Sequence, residues 1–142
     1  MIRPAAEADV PACVEMVARF QAESLPDAPT CHGATVAQTV RGLIASARGY
    51  AAVLDLDGPE GLLLAHAAPS PWAPVLAVEE LVWWIAPARR GRWAIRMLDD
   101  LEAWARSCGA GVLGLSSTGR DIGPLYARRG ALCCETRWMM EL

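Results

Sequence analysis

Glu79-Glu80-Leu81-Val82-Trp83-Trp84-Ile85-Ala86-Pro87-Ala88-Arg89-Arg90-Gly91-Arg92-Trp93-Ala94-Ile95-Arg96 is the stretch on which the reading of this chain turns. An apolar run stopped by Pro87 reads as a strand, the arginine- and glycine-bearing segment after it as a turn, and the residues beyond as the start of a helix. A helix start exposes unpaired backbone N–H groups and the positive end of the helix dipole. Strand, turn and helix start together form an anion cradle, which arginines on the turn deepen. The stretch therefore points to a phosphate-bearing, nucleotide-like ligand.

Working outward, the elements on either side alternate in type. Ile2-Arg3-Pro4-Ala5 is a short edge strand, and Asp9, with Pro11 in the first turn, opens a helix of about 10–23 along Cys13, Val14, Val17 and Phe20. Residues 24–33 form a loop, and the capping-box pattern Thr35-Val36-Ala37-Gln38 begins a second helix of about 36–47. Strands at 50–56 and 62–68 flank a hairpin turn at Asp57-Gly58-Pro59-Glu60-Gly61. A proline-rich loop follows, and then the long strand 75–86. After the arginine turn, Ala94, Met97, Leu98, Leu101, Trp104, Ala105 and Cys108 share one face of a helix that Gly109 ends. A buried strand at 112–116, a short helix capped by Asp121 and stopped at Gly130, and a last strand at 131–142 complete the chain. The order β-α-α-β-β-β-α-β-α-β predicts an α/β domain of the α+β type in three layers. Its mixed central sheet has six to seven strands, about four helices flank it, and residues 1–142 form one domain.

Composition narrows the function classes. A chain of 142 residues that is 54% hydrophobic, with a net charge of −3, folds rather than remaining disordered. No apolar run reaches the ~18 residues of a membrane helix, and Met1 to Glu7 lacks the apolar core of a signal peptide, so a soluble cytoplasmic protein is expected. Five cysteines without C-x-x-C spacing indicate neither a disulfide framework nor a metal site, and Cys133 and Cys134 read as packing residues on opposite sides of the last strand. All 13 basic residues are arginine, which excludes lysine chemistry. The excess of acidic residues argues against nucleic acid as a partner, although residues 89–96 alone form an arginine-rich segment.

The element order and three motifs resemble the GNAT superfamily of acyl-CoA-dependent N-acetyltransferases across nearly the whole chain. Ile2-Arg3-Pro4-Ala5 with Asp9 is similar to the family's opening strand and helix. Ile85-Ala86-Pro87 with Arg89-Arg90-Gly91-Arg92-Trp93-Ala94 resembles its cofactor motif, [Q/R]-x-x-G-x-[G/A], with Arg92 at the central glycine. Leu125-Tyr126-Ala127-Arg128-Arg129-Gly130-Ala131 resembles its late Y-x-x-x-G-[F/Y] element, while the asparagine often found before the last helix is absent, Gly119 lying near its place. The resemblance implies acetyl-CoA as co-substrate, without a metal. Backbone groups near Ile85 would hold the pantetheine arm and thioester carbonyl. The N–H groups of Arg90 to Ala94, helped by the side chains of Arg89, Arg90 and Arg92, would hold the pyrophosphate.

Transfer of an acetyl group to a primary amine of a small molecule or peptide needs a base for the ammonium, a donor for the oxyanion and an acid for the leaving thiolate. Tyr126 is the family-like acid, with a core tyrosine as the alternative. Glu79 and Glu80, carboxylates within an apolar strand, are the base candidates. Strict alternation puts Glu80 on the face of Val82 and Trp84, and Glu79 on that of Leu81, Trp83 and Ile85; Glu80 is preferred. His32, Trp72 and Trp84 are candidate acceptor-site residues, and His66 reads as a core or interface group. A GNAT-like module that binds acyl-CoA or a partner without catalysis is the alternative function. The tryptophans and the apolar last strand are compatible with a homodimer.

Overall fold

Asp57 and Gly58 both adopt positive φ (77° and 126°) and turn the chain back between β2 (Gly49–Asp55) and β3 (Pro59–Pro69). This hairpin is the middle of the sheet in the computed structural model, which describes residues 1–118 and 122–142. β1 (Ile2–Pro4) pairs antiparallel with β2, and β4 (Leu76–Ile85) antiparallel with β3. β5 (Ala110–Gly114) joins β4 in parallel. The described residues thus form a five-stranded mixed sheet in the order β1-β2-β3-β4-β5. The parallel pair requires a crossover, which is helix α3 (Arg92–Ser107).

Helices α1 (Val10–Ser24) and α2 (Gly33–Ala45) cover one face of the sheet, with Val10, Cys13, Met16, Phe20, Val40 and Leu43 packed on Val53, Leu62, Leu64 and Trp84. α3 and the short α4 (Gly123–Arg128) cover the other, with Met97, Leu98, Leu101 and Tyr126 packed on Leu54, Leu63, Ala65, Val78 and Ile85. β3 is covered on both faces, which is why Leu62, Leu63 and Leu64 run consecutively and are all buried. Each such side chain contributes about 2 kcal/mol of burial.

Two expected caps work differently. The Asp9 carboxylate does not cap α1; it accepts from the Ala6 N–H and from both terminal nitrogens of Arg3, at 2.7 and 2.9 Å. α2 begins at Gly33 rather than near 36, because the His32 ring accepts from the Thr35 N–H and takes the N-cap position. The cap expected at Asp121, and the place of Gly119, lie outside the described residues.

The predicted last strand is absent, so the sheet has five strands rather than six to seven. Residues 131–142 carry strand-forming side chains, but a strand exists only where it has a ladder partner, and here they pair with none. Leu132, Trp138, Met139 and Met140 are exposed, as are Cys133 and Cys134, which therefore do not pack within a strand. No helix among the described residues is long and apolar enough to cross a membrane.

Candidate active site

The register of β4 against β3 contains a bulge. Leu64 pairs with Val82 and Ala65 with Glu80, so Leu81 is an extra, exposed residue between them. An inserted residue reverses the alternation beyond it, and the faces expected from sequence are corrected accordingly. Glu80 shares the α3/α4 face with Trp83 and Ile85, whereas Val82 and Trp84 point to the α1/α2 face.

The ladder between β4 and β5 ends at the pair Glu79–Gly114, beyond which the two strands part. The two glutamates flank that point from opposite faces. Glu79 is exposed and its carboxylate lies over Gly114 of β5, in the space a Cβ at that position would take. Glu80 is 8% exposed, and its Oε2 accepts the Ser116 N–H at 2.9 Å. Burial, assisted by the neighbouring Glu79 charge and opposed by the Ser116 N–H, leaves the Glu80 carboxyl pushed up to about 7. The same residue holds Tyr126, whose hydroxyl donates to the Ser116 carbonyl at 2.8 Å. Burial, then the Glu80 charge, pushes the Tyr126 phenol above its ordinary value, so it stays protonated at neutral pH. A carboxyl group poised near neutrality and a protonated phenol, held by the N–H and the carbonyl of one residue where β4 and β5 part, can take one proton and give another.

At the far end of β4 the turn leads into α3 through Gly91, whose φ of 94° is open to glycine and strained for other residues. The Ala94 and Ile95 N–H groups bond the Gly91 carbonyl, so the first-turn N–H groups before them are the ones a helix start leaves for an anion. The arginines divide into two pairs. Arg89 is ion-paired with Glu60 at 2.6 Å, and Arg90 with Glu23 at 2.6 Å while its Nε donates to the Ile85 carbonyl at 2.9 Å. Arg92 and Arg96 instead lie over the Trp93 ring, 5.4 and 5.1 Å from its centre. The helix start, the exposed Arg92 and Arg96 guanidinium groups and the unpaired Arg90 Nη1 are what this turn leaves open to a ligand.

The expected acceptor residues are not brought together with this cluster. His32 caps α2, Trp72 is 92% exposed in its loop, and Trp84 is buried on the α1/α2 face with its indole N–H donating to Glu23. Sequence reasoning missed the Ser116 peptide, because a backbone group leaves no residue-type signature. It also missed Glu23 and Glu60, the acids that claim two of the arginines.

No family model matches the chain, and no curated protein sequence does. Solved structures do match its shape. A protein described as a transcriptional regulator from Bacillus halodurans superposes with a TM-score of 0.81 at 14% identity, covering 100% of this chain and 99% of that one. A possible acetyltransferase from Clostridium difficile follows with 0.73 at 14% identity, over 100% and 97%. A ribosomal-protein-alanine N-acetyltransferase from Brucella melitensis gives 0.71 at 15% identity, over 100% and 99%. This is the GNAT acetyltransferase fold. At such identities the likeness concerns fold alone, and chemistry rests on the site.

The site's own features fit an acyl-CoA. Past Glu79 the outer edge of β4 has no ladder partner, and it leads from the Glu80 carboxyl towards the start of α3. Two buried donors near that edge, Trp83 Nε1 and Arg90 Nη1, have no acceptor. An extended chain bearing amide carbonyls and ending in phosphates supplies what these groups lack.

Proposed function

We propose that this protein transfers an acetyl group from acetyl-CoA to a primary amine of a small molecule or peptide by direct attack in a ternary complex. The observation that carries this reading is the Glu80–Ser116–Tyr126 cluster at the point where β4 and β5 part. When bound, acetyl-CoA supplies the activated acyl group. The Arg92 and Trp93 N–H groups of the α3 start, with the Arg92 and Arg96 side chains, hold its phosphates. Unpaired backbone groups of β4 up to Ile85 hold the arm and polarise the thioester carbonyl.

Glu80, ionised, takes the proton of the incoming ammonium; its poise near 7 suits that task at neutral pH. Tyr126 gives its phenolic proton to the departing sulfur, exchanging the Ser116 carbonyl for it, and regains a proton as the newly acylated nitrogen sheds its own. Glu79, on the opposite face and exposed, is left to interact with the acceptor. The apolar tail and exposed Trp138 make a homodimer the assembly to test for.

A second reading, a GNAT-like module that binds acyl-CoA or a partner without catalysis, draws on the ion pairing of Arg89 and Arg90 and on the neighbour described as a transcriptional regulator. Calorimetry with acetyl-CoA, followed by thiol release across a panel of amines, separates the two. Saturable binding with amine-dependent release is expected. Binding without release for any amine would favour the module, and no binding at high micromolar acetyl-CoA would defeat both.

A further inference from the structure

The two neighbouring tryptophans of β4 differ in one respect that packing does not explain. Trp84, on the α1/α2 face, donates its indole N–H to Glu23 at 3.1 Å. Trp83, on the α3/α4 face opposite Leu63, packs against the cluster that contains Tyr126 and Leu101, and its Nε1 is buried with no acceptor. A buried donor without an acceptor costs free energy, so native proteins pair nearly all of them. The Trp83 side chain as a whole is only partly buried, so a ligand lying against it can bring the acceptor that the indole N–H lacks.

Position identifies what that is. Because of the bulge at Leu81, the side chains along this face of β4 run Glu80, Trp83, Ile85, and the chain then turns into α3. Trp83 stands between the proton-handling end of the site and its anion-binding end. It also borders the segment of β4 that β5 does not pair. Whatever spans those two ends passes the Trp83 ring in extended form.

We infer that the Trp83 indole N–H is a binding donor for an amide carbonyl oxygen on the arm of an acyl-thioester co-substrate. The inference rests on the acetyl-CoA reading above and adds a side-chain contact to it. It makes Trp83 a positioning residue that recognises the arm rather than the phosphates. The buried N–H then pairs only in the bound state, so part of the cost of leaving it unpaired in the free protein is returned on binding.

The test uses two ligands, acetyl-CoA and 3′,5′-adenosine diphosphate, which carries phosphates without the arm. In ¹⁵N spectra of the wild-type protein the six tryptophans give six indole signals, and Trp83→Phe identifies one of them by its loss. Saturation with acetyl-CoA is expected to move that signal downfield, and 3′,5′-adenosine diphosphate to leave it in place. Calorimetry of Trp83→Phe is expected to show acetyl-CoA weakened roughly five- to tenfold, as for one lost neutral hydrogen bond, with the diphosphate within about twofold. An unmoved signal in the acetyl-CoA-saturated protein, or equal weakening of both ligands, would overturn the assignment. Wild-type protein that binds no acetyl-CoA is a different failure: it removes the acyl-CoA reading and this inference with it, before any variant is made.

Discussion

The two ends of the β4 segment solve opposite problems. At the Glu80 end, Glu80 and Tyr126 are each 8% exposed and bond the N–H and carbonyl of one residue, so geometry is held by single hydrogen bonds in a dry setting. At the Gly91 end, the groups are exposed guanidiniums and helix N–H groups, in which charge is screened and partners substitute for one another. The contrast teaches that a family-like motif can keep its place between strand and helix while its most conspicuous letters do something else. Arg89 and Arg90 tie the turn to Glu60 and Glu23, and the cradle is left to backbone, to Arg92 and Arg96, and to the one unpaired nitrogen of Arg90. Single substitutions should therefore be severe at the dry end and mild at the wet one.

Glu80→Gln tests the severe side. Glutamine keeps an acceptor for the Ser116 N–H but takes no proton, so kcat should fall by roughly 10²-fold or more while acetyl-CoA affinity is kept. Wild-type kcat should rise with pH through about 7, as Glu80 ionises, and the variant should lose that limb. Stability should change in the opposite sense. The folded carboxyl holds its proton up to about 7, whereas the unfolded one releases it near 4.5, so wild-type stability falls as pH rises between those values. Above 7 the full cost applies, on the order of 3 kcal/mol as a ceiling. Glu80→Gln should melt higher than wild type at pH 8 and about equally at pH 4; a lower melting temperature at pH 8 would mean that the carboxylate is stabilising and the burial argument is wrong.

Tyr126→Phe is the next largest. Loss of the phenol should lower kcat by about ten- to a hundredfold with little change in KM, and removing the donor to the Ser116 carbonyl should cost about 1 kcal/mol of stability. Unchanged turnover alongside that stability loss would leave Tyr126 a packing residue and point to solvent as the proton source.

Much of this contrast was legible in the sequence, and the parts that were not share a cause. Hydrophobic spacing located α1 and α3 and the hairpin, because each follows from local chemistry such as Asp57-Gly58 or the apolar face from Met97 to Ala105. Glu80 and Tyr126 were nameable as candidates because a carboxylate in an apolar strand and a tyrosine four residues before a glycine are residue-type signals. Which way Glu80 points was not legible, since the bulge at Leu81 is a property of pairing with β3 and reverses the expected faces. The partners Ser116, Glu23 and Glu60 are likewise set by long-range contact. The tail failed for the complementary reason: residues 131–142 have strand chemistry, and their missing partner is not a local property.

The smallest predicted effect is also the one that most directly opposes the motif-based expectation. Arg89 opens the motif and reads as a phosphate ligand, yet its guanidinium makes two bonds to the Glu60 carboxylate at the start of β3. Arg89→Ala should change acetyl-CoA affinity by no more than about twofold, since an exposed pair contributes little and the α3 start is untouched. Arg92→Ala combined with Arg96→Ala removes both cations over Trp93 and should weaken binding by roughly three- to tenfold at low salt, with the difference shrinking as salt is raised. Calorimetry at two ionic strengths on these two proteins decides the matter. If Arg89→Ala proved the more damaging, the Glu60 pair must open on binding, and the division of labour along the turn would be reversed.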